Sequence, residues 1–192
     1  YTDLSPITGY THPVFGQAGL ESTLDGYLRG NQGNASSLVW WHYLLYGTPP
    51  PGLAVRLSID LELQRKADEL MGTHTGALIL INAQSGEILS MSSHPTYDPN
   101  LLDEIGNQLQ SNPAAPLLNR AAQGTYPPGS FLLPLLKRQF EKTGNPNAEQ
   151  QAAYYDLLGL YSAPELGLPV GVPSKYGEVA NIQVSPLQLV LV

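Results

Sequence analysis

The chain has no cysteine, few positive charges and no long hydrophobic run. Without cysteine there are no disulfides, no thiolate nucleophile and no cysteine zinc site. Nine Lys and Arg residues stand against sixteen Asp and Glu, a formal net charge of −7. Gripping a nucleic-acid backbone takes clustered cations that release counterions from phosphates. A sparse, scattered basic set excludes nucleic acid as a partner, and excludes docking on anionic lipid through a basic face. The longest apolar stretch, residues 76–83, falls far short of the roughly 20 residues an apolar helix needs to span a bilayer. No leader peptide is legible, since Tyr1 opens a polar segment containing Pro6 and Gly9. His12, His42, His74 and His94 have neither zinc-helix spacing nor paired carboxylates at ligand spacing, and no phosphate loop or dinucleotide fingerprint occurs. No metal and no cofactor is expected.

What is present suits one domain with a small extension: 192 residues, 42% of them apolar. Residues 17–29 predict a helix, with Leu20, Leu24, Tyr27 and Leu28 on one face and Gly30 as its stop. Residues 36–46 hold Trp40, Trp41, His42, Tyr43 and Tyr46 without a clear period, and such a group more often packs on its own core than on a partner. Pro49, Pro50, Pro51 and Gly52 read as a linker. Val55, Leu57 and Ile59 alternate with Arg56 and Ser58 as a half-buried strand does. Asp60 then caps a helix with Leu63, Ala67, Leu70 and Met71 as its buried stripe and Glu62 with Lys66 as an i, i+4 pair.

Residues 77–83 and 87–93 predict a hairpin turned by Gln84, Ser85 and Gly86. Its first strand is apolar on both faces, which predicts a central strand covered by helices on both sides. Further helices are expected over 130–143 and 148–158, then a Pro- and Gly-rich loop over 164–173, then a helix opened by Ser185 and Pro186. The fold class is α/β of the α+β kind, an antiparallel sheet flanked by helices. Residues 1–54 read as an extension or linker and 55–192 as the main domain, incomplete at its C-terminus because the chain stops inside an apolar run.

Several stretches, in one order, resemble the class B penicillin-binding proteins, the cell-wall transpeptidases. They are Gly16 to Glu21 with Leu24 to Gly30; Leu57 to Gln64; Gly76-Ala77 through Asn82 to Leu89 and on to Pro95, then Tyr97 to Asn100; Asn119-Arg120-Ala121 with Tyr126-Pro127-Pro128-Gly129-Ser130; and Val184 to Leu189. The resemblance implies an abbreviated transpeptidase fold and a serine that is acylated by a peptidoglycan stem peptide or a β-lactam. A serine hydroxyl is a poor nucleophile until a neighbouring group takes its proton. The family places a lysine one helical turn on, in Ser-x-x-Lys, commonly followed by proline.

The matching run here is Ser130-Phe131-Leu132-Leu133-Pro134, so Ser130 holds the nucleophile position and Leu133 holds the place of the lysine. Leucine cannot accept a proton. Lys137 lies seven residues on, about 10 Å along a helix, which makes it a poor substitute base. Ser130 also suits a plain helix cap. The family's Ser-x-Asn spacing occurs nowhere in the chain, and the region between Ser130 and Ser185 is shorter than the family's. Lys142-Thr143-Gly144 has the composition of the third family motif but stands in the wrong order, and reads as a helix end.

Three functions remain open. The first is a transpeptidase-like domain of peptidoglycan synthesis that is catalytically silent and acts as a scaffold. The second is a working serine acyl-enzyme at Ser130, and the third is an interaction module without chemistry. The resemblance further implies the cell envelope, on the outer face of the cytoplasmic membrane. Other cell-wall synthesis proteins are the implied partners, and the membrane is reached only through an anchor outside this sequence.

Overall fold

The structure is a computed structural model and describes residues 2–141 and 144–192. A 3-10 turn, Thr2–Leu4, leads into α1 (Ser5–Thr8) and a small hairpin of β1 (Tyr10–His12) and β2 (Gly16–Ala18). Then come α2 (Gly19–Thr23), α3 (Asp25–Leu28), α4 (Ser36–Tyr46) and α5 (Leu61–Met71). The main hairpin pairs β3 (Gly76–Ile81) with β4 (Ile88–His94), and α6 (Leu102–Ser111), α7 (Leu133–Gln139), α8 (Ala148–Leu157) and α9 (Pro186–Leu191) complete the chain.

Local chemistry explains several elements. Asp60 accepts hydrogen bonds from the Glu62 and Leu63 amides and so caps α5. Asn82 Oδ1 accepts from the Gln84 and Ser85 amides, and Gly86 takes a φ of 76°, closing the β3–β4 turn. Ser185 and Gln188 form a reciprocal capping box at α9, with Pro186 inside it. Asn147 and Gln150 do the same for α8.

Two apolar clusters hold the fold. One joins Ile7 of α1, Met91 of β4, Ala121, Ala122, Leu168 and Leu187 of α9. The other joins Leu132, Tyr155 of α8, Leu160, Ile182 and Val184. Polar side chains stitch the first cluster's rim. Gln64 of α5 is fully buried; its amide donates to the Asp3 and Met91 carbonyls and accepts from the Met91 amide and the Ser90 hydroxyl. Asp68 receives the Ser92 hydroxyl and lies 3.1 Å from His94 Nε2, while His94 Nδ1 lies 3.2 Å from the Gly72 carbonyl.

Six expectations change. Residues 17–29 form the end of β2 and two short helices, because Gly19 at φ 61° starts α2 and Leu24 ends it. Residues 55–59 form no ladder. Among the described residues their ties to β4 are the Asp60 amide on the Leu89 carbonyl and the Ser58 hydroxyl on the Ile88 carbonyl, while Leu57 and Ile59 still pack on the core. The buried face of α5 is Gln64 and Ala67, with Leu63 and Leu70 exposed, since the amide that satisfies the strand backbone fixes the helix rotation. Lys66 pairs with Glu69 and not with Glu62. The more buried strand is β4, whereas β3 pairs only with β4 among the described residues and leaves Leu80 exposed. The aromatic segment forms α4, and none of its residues is buried.

Candidate functional site

The serine singled out by sequence sits in a turn that two backbone pairings position. The Tyr126 amide donates to the Val184 carbonyl at 2.8 Å, and the Val184 amide returns a bond to the Tyr126 carbonyl at 2.9 Å. This bridge sets Pro127, Pro128, Gly129 and Ser130 beside residues 179–183. Gly129 takes a φ of 59°, a conformation that disfavours any side chain. The Phe131 amide then bonds to the Pro128 carbonyl and the Leu133 amide to the Ser130 carbonyl, leading into α7.

Ser130 is exposed, and among the described residues no side chain is hydrogen-bonded to its hydroxyl. It does not cap α7: Leu132 occupies that position and no side-chain cap bond is made. Leu132 turns inward and is buried against Tyr155, Leu160 and Val184, which anchors the start of the helix. Leu133 is 51% exposed, so an aliphatic side chain points outward where the resemblance places an amine.

A cleft of about 300 Å³ adjoins the serine turn, lined by Pro127, Pro128, Gly129, Leu132, Leu133, Leu136, Tyr155 and residues 179–183. Among the described residues no Lys, Arg, His, Asp or Glu lines it. Burial pushes the Tyr155 phenol above its usual range, so it stays neutral there. Lys137 lines a different depression, with Leu133, Leu136, Phe140 and Gln151. Leu133 thus borders both depressions and Lys137 only the second, while Ser130 lies exposed in the turn beside the first and does not line it. Of the Lys142-Thr143-Gly144 run, the first two residues lie outside those described; Gly144 takes a φ of 83° with its amide on the Phe140 carbonyl.

Sequence reading missed the contribution of residues 179–183, which carry no motif and reach the cleft only through the Tyr126–Val184 bridge. It also missed why Asn119-Arg120-Ala121 precedes the site. Asn119 donates to the Pro6 carbonyl and accepts from the Ala121 and Ala122 amides. Arg120 donates to the Ala114 and Ala115 carbonyls, and its amide donates to the Ser93 hydroxyl. These bonds tie the approach to the serine onto β4 and α1. No cluster of metal-ligating side chains occurs among the described residues.

Residues 76–132 match the family model described as the penicillin binding protein transpeptidase domain. The chain is similar to the peptidoglycan D,D-transpeptidase MrdA of Acinetobacter baumannii, 33% identical over 132 residues, covering 64% of this chain and 20% of that protein. It is similar to the peptidoglycan D,D-transpeptidase PbpA of Mycolicibacterium smegmatis, 31% identical over 178 residues, covering 86% of this chain and 34% of that protein. It also superposes on penicillin-binding protein A of M. tuberculosis, solved as an imipenem acyl-enzyme complex, with a TM-score of 0.64 and 26% identity over 97% of this chain and 44% of that one. The chain spans about a third or less of the length of the two curated relatives. Over the length matched, the chain belongs to the class B penicillin-binding-protein transpeptidases.

Proposed function

We propose that this chain is a transpeptidase-type domain of peptidoglycan synthesis in which Ser130 is not turned over, and that it serves the cell envelope as a scaffold. In this reading residues 1–54 are the extension and residues 55–192 the transpeptidase-like domain. The observation that carries the proposal is the pairing of an exposed serine with a leucine. Ser130 has no hydrogen-bonded partner among the described side chains, and Leu133 occupies the next turn. A positioned general base is worth roughly 10²–10⁴-fold in rate. Among the described residues the cleft beside the serine turn offers no side chain able to act as one near neutral pH. The names of the relatives, peptidoglycan D,D-transpeptidases and an imipenem acyl-enzyme, support the cell-wall assignment and a β-lactam as ligand. A stem peptide as ligand, residence on the outer side of the cytoplasmic membrane and other cell-wall synthesis proteins as partners belong to the same proposal.

Incubation with a labelled penicillin, read by intact mass, tests the proposal. The expected result is no covalent adduct. An adduct on Ser130 that disappears in Ser130→Ala establishes instead a working serine acyl-enzyme. Leu133→Lys changes an exposed position and leaves the fold intact. The lysine alone is expected not to restore acylation, because the chain has no Ser-x-Asn spacing to supply the second set of groups. Restored acylation means that the rest of the site is in place.

A further inference from the structure

We propose that α4 is a membrane-contacting helix that lies in the interfacial layer of a lipid bilayer, with Trp40, Trp41, Leu44 and Leu45 turned toward the acyl chains. The inference goes beyond the scaffold reading and takes from it only the placement at the cell envelope.

No residue of α4 is buried by the rest of the chain. Trp40, Trp41, Leu44 and Leu45 are 59%, 51%, 59% and 63% exposed. At about 100° per residue, Trp40 stacks over Leu44 and Trp41 over Leu45, which makes one broad apolar face. Val39 and His42, on the opposite side, are only partly covered. Leu38 and Tyr43 continue the exposed surface around the two flanks, and Tyr46, between Val39 and His42, is exposed as well. A helix that docks on a protein, or on a second copy of itself, needs one apolar stripe roughly 100° wide. The surface of α4 extends well past that, as suits a fluid medium that closes around the helix.

Charge favours the same occupant. No Asp, Glu, Lys or Arg occurs between Arg29 and Arg56, so no ionised group is carried out of water when the helix settles. Of the two cations that bound this run, Arg29 is paired with Asp25 at 2.6 Å, while Arg56 is exposed and has the sign that suits phosphate headgroups. Tryptophan and tyrosine pair an apolar ring with a polar edge and concentrate at membrane interfaces. Eleven residues make a helix only about 16 Å long, too short to cross, so it lies along the surface.

Because the chain's net charge is −7, zwitterionic lipid is the better partner. This differs from the usual interfacial helix, which carries a basic polar face.

Both tryptophans of the protein lie on α4, so intrinsic fluorescence reports this helix alone. The chain is titrated with phosphatidylcholine vesicles, and separately with an equal mixture of phosphatidylcholine and phosphatidylglycerol. The expected result is a blue shift and quenching by bromine-labelled lipid, stronger on phosphatidylcholine at low salt. The double variant Leu44→Ser, Leu45→Ser keeps both fluorophores and should weaken partitioning by roughly ten-fold or more. Leu70→Ser, at an equally exposed leucine on α5, should leave it unchanged.

Emission that does not move on either vesicle overturns the proposal. So does a blue shift without lipid that grows with protein concentration, which assigns α4 to a second copy. A shift produced only by an added cell-wall protein assigns it to a protein partner and equally overturns it. Acylation of Ser130 by penicillin removes the scaffold reading and does not alter the vesicle result.

Discussion

Tyr97 and Ser5 form a buried contact whose two members make opposite predictions. The Tyr97 hydroxyl donates to the Ser5 carbonyl at 3.1 Å. Burial, with a smaller contribution from Tyr10, pushes the phenol far above its usual range. Below about pH 10 the phenol is neutral in both folded and unfolded chains, and its contribution to stability is fully present. Above that pH the unfolded chain ionises first, so stability falls as pH rises toward the raised folded value. Denaturant midpoints should therefore drop above about pH 10. Tyr97→Phe should flatten part of that slope while costing about 1 kcal/mol at neutral pH for the lost hydrogen bond. The raised phenols of Tyr10, Tyr155 and Tyr161 keep the remainder of the slope. The Ser5 hydroxyl, by contrast, is buried without a partner among the described residues. Ser5→Ala removes an unsatisfied group, and should raise the unfolding free energy by about 1 kcal/mol in a urea titration. None of this was visible in the order of residues, because the contact joins positions 92 apart.

The seam between α5 and β4 is held by Gln64 as much as by apolar contact. Its side chain satisfies the amide and carbonyl of Met91 and the Ser90 hydroxyl in a site closed to solvent, and the Asp3 carbonyl at its part-buried edge. Gln64→Leu fills similar space but orphans these groups. It should cost about 3 kcal/mol or more, read as a lower midpoint and faster hydrogen exchange in β4. Gln64→Glu keeps the acceptor but sets a buried carboxylate against the Asp3 and Met91 carbonyls, so at neutral pH it should cost at least as much as Gln64→Leu. The cap of α5 was legible because Asp60 acts on amides two and three residues away. The rotation of α5 was not, because hydropathy favours Leu63 and Leu70 while the choice of buried face belongs to a polar residue and a strand 27 positions distant. The same limit applies to residues 55–59, where alternation fits a strand but ladder formation depends on what lies alongside.

At the scale of the molecule, α1 and β4 belong to one core. Ile7 packs with Met91, Ala121 and Leu187, while Asp3, Ser5 and Pro6 each accept a hydrogen bond from α5 or from the segments that follow β4. Amide exchange should thus find the Gly9 amide, bonded to the Ser5 carbonyl, exchanging with the same free energy as the β3–β4 ladder. Met91→Ala, at a fully buried side chain within this cluster, should cost about 2–5 kcal/mol and lower the stability of both regions together. Exchange of the Gly9 amide at far lower free energy than β4 makes α1 a separate unit.

The sequence alone determined whatever depends on neighbours within a few residues. It set the Asx turn at Asn82, the caps at Asp60 and Ser185, the leucine that follows Ser130 by three positions, and the run free of charge that becomes α4. Tertiary structure decided which faces are covered. It chose Gln64 over Leu70 for the interior, left the tryptophans of α4 in solvent, set Lys137 in a different depression from the cleft beside the serine turn and brought residues 179–183 to the edge of that cleft. The division has a physical cause: hydrogen bonds of caps and turns close within one turn of chain, whereas burial depends on every segment that competes for the same surface.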